Sequence, residues 1–232
     1  MNQRHRLVLM PGLDGTGKLF APIIPILEQH FDLTIVTYPD LDSFSDYVDC
    51  AQRQLPETPG FSLLAESFSG PVAMALMAQQ PDQIGASVLS STFARSPLAA
   101  LTRMASYIPE QVFSIGALSN FVLDVYETED EDHSETQPLP LNITEQIDGV
   151  LLKHRIAVLS RIDISAMLPA IQVPILYLHA LRDRIVAQTD AQMIEEYLPD
   201  VERVDIDAPH LLLQTRPQLC AELIVKHIQS GR

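Results

Sequence analysis

The chain has 232 residues, the size of one domain, and 47% of them are hydrophobic against 19% charged; that balance supports a sizeable core and excludes disorder. Lys plus Arg total 15 against 30 Asp plus Glu, a formal net charge of -15, so a nucleic-acid backbone or an anionic membrane surface would repel the chain, and no nucleic-acid partner is expected. No apolar run approaches the roughly 20 residues of a spanning helix, and Pro11-Gly12 cuts short the first one, so no membrane span and a cytoplasmic location are expected.

Along the chain, Leu7–Met10 is the first of six short apolar runs rich in β-branched residues. It is followed by Leu33–Thr37, Phe61–Ala65, Ala86–Ser91, Pro174–His179 and Val201–Ile206. Several are apolar at consecutive positions, the pattern of strands covered on both faces. Helical patterns fall between them at Ser43–Leu55, Pro71–Gln80, Gln188–Tyr197 and Pro217–Gln229. The expected class is therefore α/β, an about six-stranded, mainly parallel sheet with helices on both faces.

About 80 residues separate Ser91 from Pro174, too many for a simple crossover. Leu98–Tyr126 is apolar, Glu127–Pro140 is acidic and contains proline, and Ile143–Leu159 is again helix-like. This predicts a core formed by 1–92 and 173–232, with 93–172 inserted as a helical cap. Between Asp124 and Glu135, 7 of 12 positions are carboxylates, but the glycine and spaced ligands of a Ca²⁺ loop are missing, so a solvated loop is expected rather than a metal site. Cys50 and Cys220 are the only cysteines, too few for a disulfide framework and without metal-ligand spacing, and are expected as buried thiols.

The loop after the first strand admits two readings. Gly12-Leu-Asp-Gly-Thr-Gly17-Lys18 nearly matches the phosphate cradle G-x-x-x-x-G-K-[ST]. However, Leu19 stands where a Mg²⁺-binding hydroxyl belongs, and Pro22 and Pro25 would distort the helix that should face the phosphate. A P-loop nucleotide binder is thus the remote alternative. In the other reading, a permissive turn presents the Leu13 amide as one of two donors to an oxyanion.

Phe61 to Gly70 reads as a strand, a sharp turn and a helix start, with Ser67 at the turn. A nucleophile elbow needs small residues two before and two after its serine, because strand and helix backbones pass close together. Here these are Ala65 and Ser69, with Gly70 adding room. A serine hydroxyl needs an imidazole to take its proton, and the imidazole needs a carboxylate to orient it. Asp183 follows the fifth run and His210 the sixth. Asp205 and Asp207 are competing carboxylates on the His210 segment. His179 is expected to be a packed core histidine, and His5, His30, His133, His154 and His227 to be solvated. Asp14 and Asp40 read as turn formers, and Glu66 as pointing away from the site.

In these motifs and in the order Ser67, Asp183, His210, the sequence resembles the α/β-hydrolase superfamily, especially small esterase/lipase/acyltransferase-like members with a Pro-Gly-Leu-Asp-Gly-Thr-Gly first loop. The resemblance covers Pro11–Gly17, Ala65–Gly70, Pro174–Val186 and Ala208–His210. It implies Ser67 as nucleophile, Asp183 as orienting acid and His210 as base, with Leu13 and Phe68 amides forming the oxyanion hole and no metal or organic cofactor. The implied activity is carboxylesterase-like: cleavage of a small-to-medium acyl ester through an acyl-enzyme. An acyltransferase or thioesterase on the same triad is the alternative, and a non-catalytic ligand-binding protein with this fold a remote one. The implied partner is a small-molecule acyl ester or thioester; the oligomeric state is left open. The first strand starts near Arg6, so a trimmed sheet is expected, and Ala65, Ser69 and Ala180 replace frequent glycines. Met104, Ile108, Val112, Phe113, Leu118, Phe121 and Val122 recur at roughly helical spacing, to pack the cap or line an acyl pocket.

Overall fold

Each of the six apolar runs forms a strand in the computed structural model, which describes residues 4–97, 149–198 and 200–231. The strands are β1 (His5–Met10), β2 (Phe31–Ile35), β3 (Phe61–Glu66), β4 (Ile84–Ser90), β5 (Ile175–Ala180) and β6 (Val201–Ile206). They form one open six-stranded sheet in the order β2-β1-β3-β4-β5-β6, and every neighbouring pair is parallel. The six parallel strands agree with the expected mainly parallel sheet.

Alternation explains why β1 is apolar at consecutive positions. Val8 and Met10 enter the core on one face of the sheet, while Leu7 and Leu9 enter the core on the other. All four are fully buried, each adding roughly 1.5–3 kcal/mol of burial free energy. β3 is buried throughout, whereas edge strand β6 is mostly half-exposed and carries Arg203 paired with Glu195 and Asp205.

Helices cover both faces: α1 (Ile24–Leu27), α2 (Phe44–Gln52), α3 (Ser69–Gln79), α4 (Gly149–Leu159), α5 (Gln188–Tyr197), α6 (Leu212–Thr215) and α7 (Pro217–Gln229). The Ser43 hydroxyl caps α2 by accepting from the Asp46 amide at 3.3 Å, as an N-cap serine does. α3 is buried from Ser69 to Met77 because it packs against β3, α2 and the short turn of helix Ser165–Ala170. It starts two residues before the expected Pro71, which sits in the first turn where its missing N–H costs nothing. Cys50 and Cys220 are both free, buried thiols.

The expected cap at 93–172 falls largely outside the described residues, as do the acidic run, His133 and the apolar positions Met104 to Val122. Its two described stems pair with each other: Arg95 bridges antiparallel to Asp163, the Ser96 amide donates to Ile162 O at 2.9 Å and the Ile164 amide to Ala94 O at 3.0 Å. The chain therefore leaves the sheet after β4 and returns toward β5 along adjacent paths. Of the helix-like stretch Ile143–Leu159, the described part is α4. Among the described residues, no helix is long and apolar enough to cross a membrane.

Candidate active site

Parallel strands end on one edge of the sheet, and there the loops after β1, β3, β5 and β6 meet. Ser67 occupies the turn between β3 and α3 with φ +49°, a left-handed conformation that costs a non-glycine residue about 1–2 kcal/mol. Three hydrogen bonds hold it there. The Ser67 amide donates to Ser90 O at 2.9 Å, the Gly70 amide donates to Ser67 O at 3.0 Å, and the Thr92 hydroxyl donates to the same carbonyl at 2.6 Å. A Cβ on Gly70 would collide with Thr92, so close packing requires glycine one position beyond the usual motif. Ser69, at the motif position, uses its hydroxyl to grip Pro11 O.

His210 lies between β6 and α6, its side chain 7% exposed. Its Nε2 is 2.9 Å from Ser67 Oγ, and its Nδ1 is 2.8 Å from Asp183 Oδ2. The Asp183 side chain is 1% exposed, and its other oxygen accepts from the Ile185 and Val186 amides at 2.8 Å each. Those two amides fix the carboxylate and leave Oδ2 for the imidazole. The β5 loop is itself tied to the β6 loop, with Leu181 and Arg182 amides donating to Ile206 and Ala208 carbonyls. Asp205 and Asp207 are committed elsewhere, to Arg203 and Arg182.

Burial pulls the His210 pKa down, but the Asp183 charge, its hydrogen bond and the Glu66 charge outweigh burial and leave it raised. Raised affinity for a proton suits a group that must take one from a hydroxyl.

The loop after β1 passes directly beside Ser67, since a Cβ on Gly12 would lie 3.7 Å from the Ser67 Cβ. Neither the Leu13 nor the Phe68 amide donates to a backbone carbonyl among the described residues. Phe68 packs edge-on against Tyr47 and Tyr38, with ring centroids 4.9 and 6.1 Å apart. In the same loop, Asp14 Oδ2 accepts from the Thr16 amide at 2.9 Å and the Gly17 amide at 3.2 Å. The turn former expected at Asp14 thus fills the amides a phosphate would need and adds a negative charge there, and α1 is only four residues long. The geometry is that of a closed Asx turn and opposes the phosphate-loop reading.

Glu66 does not point away from the site. It is buried, with Oε1 accepting from Gln214 Nε2 at 2.9 Å, while Oε2 has no partner among the described residues and lies 3.8 Å from where a Gly12 Cβ would stand. Burial raises its pKa to about 7; the Gln214 hydrogen bond opposes that rise and the Asp14 charge adds to it. Consecutive burial along β3 explains the misreading, because a residue in a central strand faces protein on either side.

His179 is buried as expected, its ring 5.9 Å from that of Tyr177. His227 is buried, not solvated, since it shares the inward face of α7 with Cys220, Ile224 and Ile228. His154 bonds Asp40 at 2.7 Å, and His5 bonds Ser62 at 2.9 Å, so neither is simply solvated, whereas His30 is exposed. Thr92, Gln214 and Arg155 support the site without any local signal in the sequence. Among the described residues, no group of three or more His, Cys, Asp or Glu is placed to hold a metal ion.

An open parallel sheet, helices on both faces and loops beyond its strand ends carrying Ser67, Asp183 and His210 define a class: the chain has the α/β-hydrolase fold. It is similar to MGS-M2, an α/β-hydrolase enzyme from a Medee basin deep-sea metagenome library, with TM-score 0.82 and 14% identity over 99% of this chain and 90% of that one. It is also similar to the enol-lactonase of Burkholderia xenovorans, with TM-score 0.75 and 19% identity over 99% and 92% of the two chains. Carboxylesterase CesB from Bacillus subtilis matches with TM-score 0.72 and 14% identity over 100% and 86%. No family model matches the chain, and no curated protein matches it by sequence.

Proposed function

We propose that the protein is a serine hydrolase cleaving carboxylic esters of small-to-medium acyl groups through Ser67, His210 and Asp183. The observation carrying this reading is the unbroken relay from Ser67 Oγ through the imidazole to the buried Asp183 carboxylate, at 2.9 and 2.8 Å. His210 Nε2 takes the Ser67 proton as Oγ bonds to the ester carbonyl carbon. The carbonyl oxygen becomes an oxyanion held by the Leu13 and Phe68 amides; one such donor is worth about 3 kcal/mol. Collapse breaks the carbon–oxygen bond of the leaving group, which departs with the proton from His210. Water then gives its proton to His210 and attacks the acyl-enzyme, and a second collapse releases the acid and restores the Ser67 hydroxyl. Asp183 holds the imidazole in the tautomer that leaves Nε2 free to accept.

A fluorophosphonate probe tests the nucleophile: wild type labels at Ser67 and Ser67→Ala does not. Absent labelling of wild type, or equal labelling of both, refutes the reading. Asp183→Asn lowers p-nitrophenyl ester turnover by about 10⁴-fold with the fold retained; unchanged turnover moves the orienting role elsewhere. The acyl preference is read from p-nitrophenyl esters and acyl thioesters graded by chain length, with added alcohols or thiols separating hydrolysis from transfer.

A further inference from the structure

Among the described residues, Arg155 is the largest of the fully buried side chains, 1% exposed. It reaches from α4 to the loop after β1, where Nη1 donates to Leu13 O at 2.8 Å and Asp14 O at 2.6 Å. Nη2 donates to Tyr38 O at 2.6 Å and Pro39 O at 3.4 Å. No carboxylate among the described residues pairs with it; the cation is held by backbone carbonyls. The nearby Tyr47 hydroxyl and the guanidinium Nε make no hydrogen bond within normal geometry. A buried guanidinium is expensive unless its donors are satisfied, and here its donors converge on the loop that passes the nucleophile.

The sequence of that loop is matched to the guanidinium. Gly15 has φ +65°, and a Cβ there would stand 2.5 Å from Nη1, so only glycine lets the backbone come this near. From Pro11 to Gly15 every carbonyl is occupied. Ser69 Oγ donates to Pro11 O, the Gly15 amide donates to Gly12 O at 3.1 Å, Arg155 takes the next two, and the Tyr38 amide donates to Gly15 O at 2.9 Å. A peptide is planar and trans, so fixing the Gly12 carbonyl on one side directs the Leu13 N–H to the other. Arg155 locks the two peptides that follow and stops that unit from rotating.

We propose that Arg155 is a positioning residue for the oxyanion hole: by holding the Leu13 and Asp14 carbonyls it sets the Leu13 amide against the oxygen that gains charge. The assignment rests on the ester-hydrolase reading above. Its signature is loss of transition-state stabilisation with little change in ground-state binding. His210 is held by separate groups, so its titration stays where it is.

The test compares wild type with Arg155→Lys, Arg155→Ala and Gly15→Ala, the last displacing the guanidinium without removing it. Each is followed by p-nitrophenyl butyrate kinetics against pH, by inhibition with a trifluoromethyl ketone that forms an oxyanion adduct on serine, and by thermal unfolding. Arg155→Lys is expected to lower kcat about 10- to 100-fold, leave KM within about threefold and weaken the ketone by the same factor as kcat/KM. The acid limb of the pH profile does not move. Free ethylguanidinium restores part of the rate of Arg155→Ala. Folded variants with wild-type kcat, or a rate loss without weaker ketone binding, overturn the positioning role and leave the hydrolase reading standing. A wild type that neither labels at Ser67 nor turns over ester overturns both.

Discussion

Glu66 sits where its ionisation bears on both folding and the His210 imidazole. Its carboxyl is raised from 4.5 to about 7, chiefly by burial. The folded protein therefore keeps a proton that the unfolded chain has already lost at intermediate pH. The sign follows from linkage: the Glu66 contribution to stability is greatest below about 4.5 and is lost as pH rises through about 7, by roughly 3 kcal/mol for a shift of this size. Glu66→Gln keeps the shape, removes the charge and is expected to flatten that decline in urea midpoints between pH 5 and 8. Parallel curves for wild type and variant would refute it. The same substitution removes one of the charges that raise the His210 pKa, so the acid limb of kcat/KM moves to lower pH. That Ser67, Asp183 and His210 come together was legible because each follows an apolar run, in the order the proposed serine hydrolase needs. Arg155, Thr92 and Gln214 were not, because their partners lie 142, 25 and 148 residues away in sequence.

At the scale of elements, the elbow shows what a motif stands for. Small residues flank a nucleophilic serine because two backbones crowd it, and in this chain the crowding falls on Gly70 against Thr92. Gly70→Ala is expected to destabilise the protein by about 1–3 kcal/mol and to slow Ser67 labelling, whereas Thr92→Gly, which removes the crowded hydroxyl, Cβ and methyl together, partly restores both in the double variant. A strictly additive double variant would place the conflict elsewhere. Strand identities were readable from consecutive apolar positions, but their limits were set by pairing. β4 begins at Ile84 rather than Ala86 because Ile84 pairs with Phe61 across a register shift. β2 runs Phe31–Ile35 rather than Leu33–Thr37 because its ladder with β1 spans His5↔Phe31 to Leu9↔Ile35. Hydrophobicity marks which segments enter a sheet, and neighbours decide where they stop.

For the whole molecule, the described residues contain the sheet, its covering helices, the Ser67 relay and the Arg155 grip. Replacing 98–148 with a flexible Gly-Ser linker about a third as long is therefore expected to leave one cooperative unfolding transition and fluorophosphonate labelling at Ser67, with an altered acyl chain-length preference. Loop closure contributes only about 1 kcal/mol to that change; an unfolded or unlabelled product would show that the replaced segment is required for the core. The paired stems, Ala94 to Ser96 alongside Ile162 to Ile164, bear on how such a chain can diversify. They form a joint at which one long excursion is already closed before it reaches β4 and β5, so changes in its length are absorbed outside the joint and the Ser87↔Ile175 register is insulated from them.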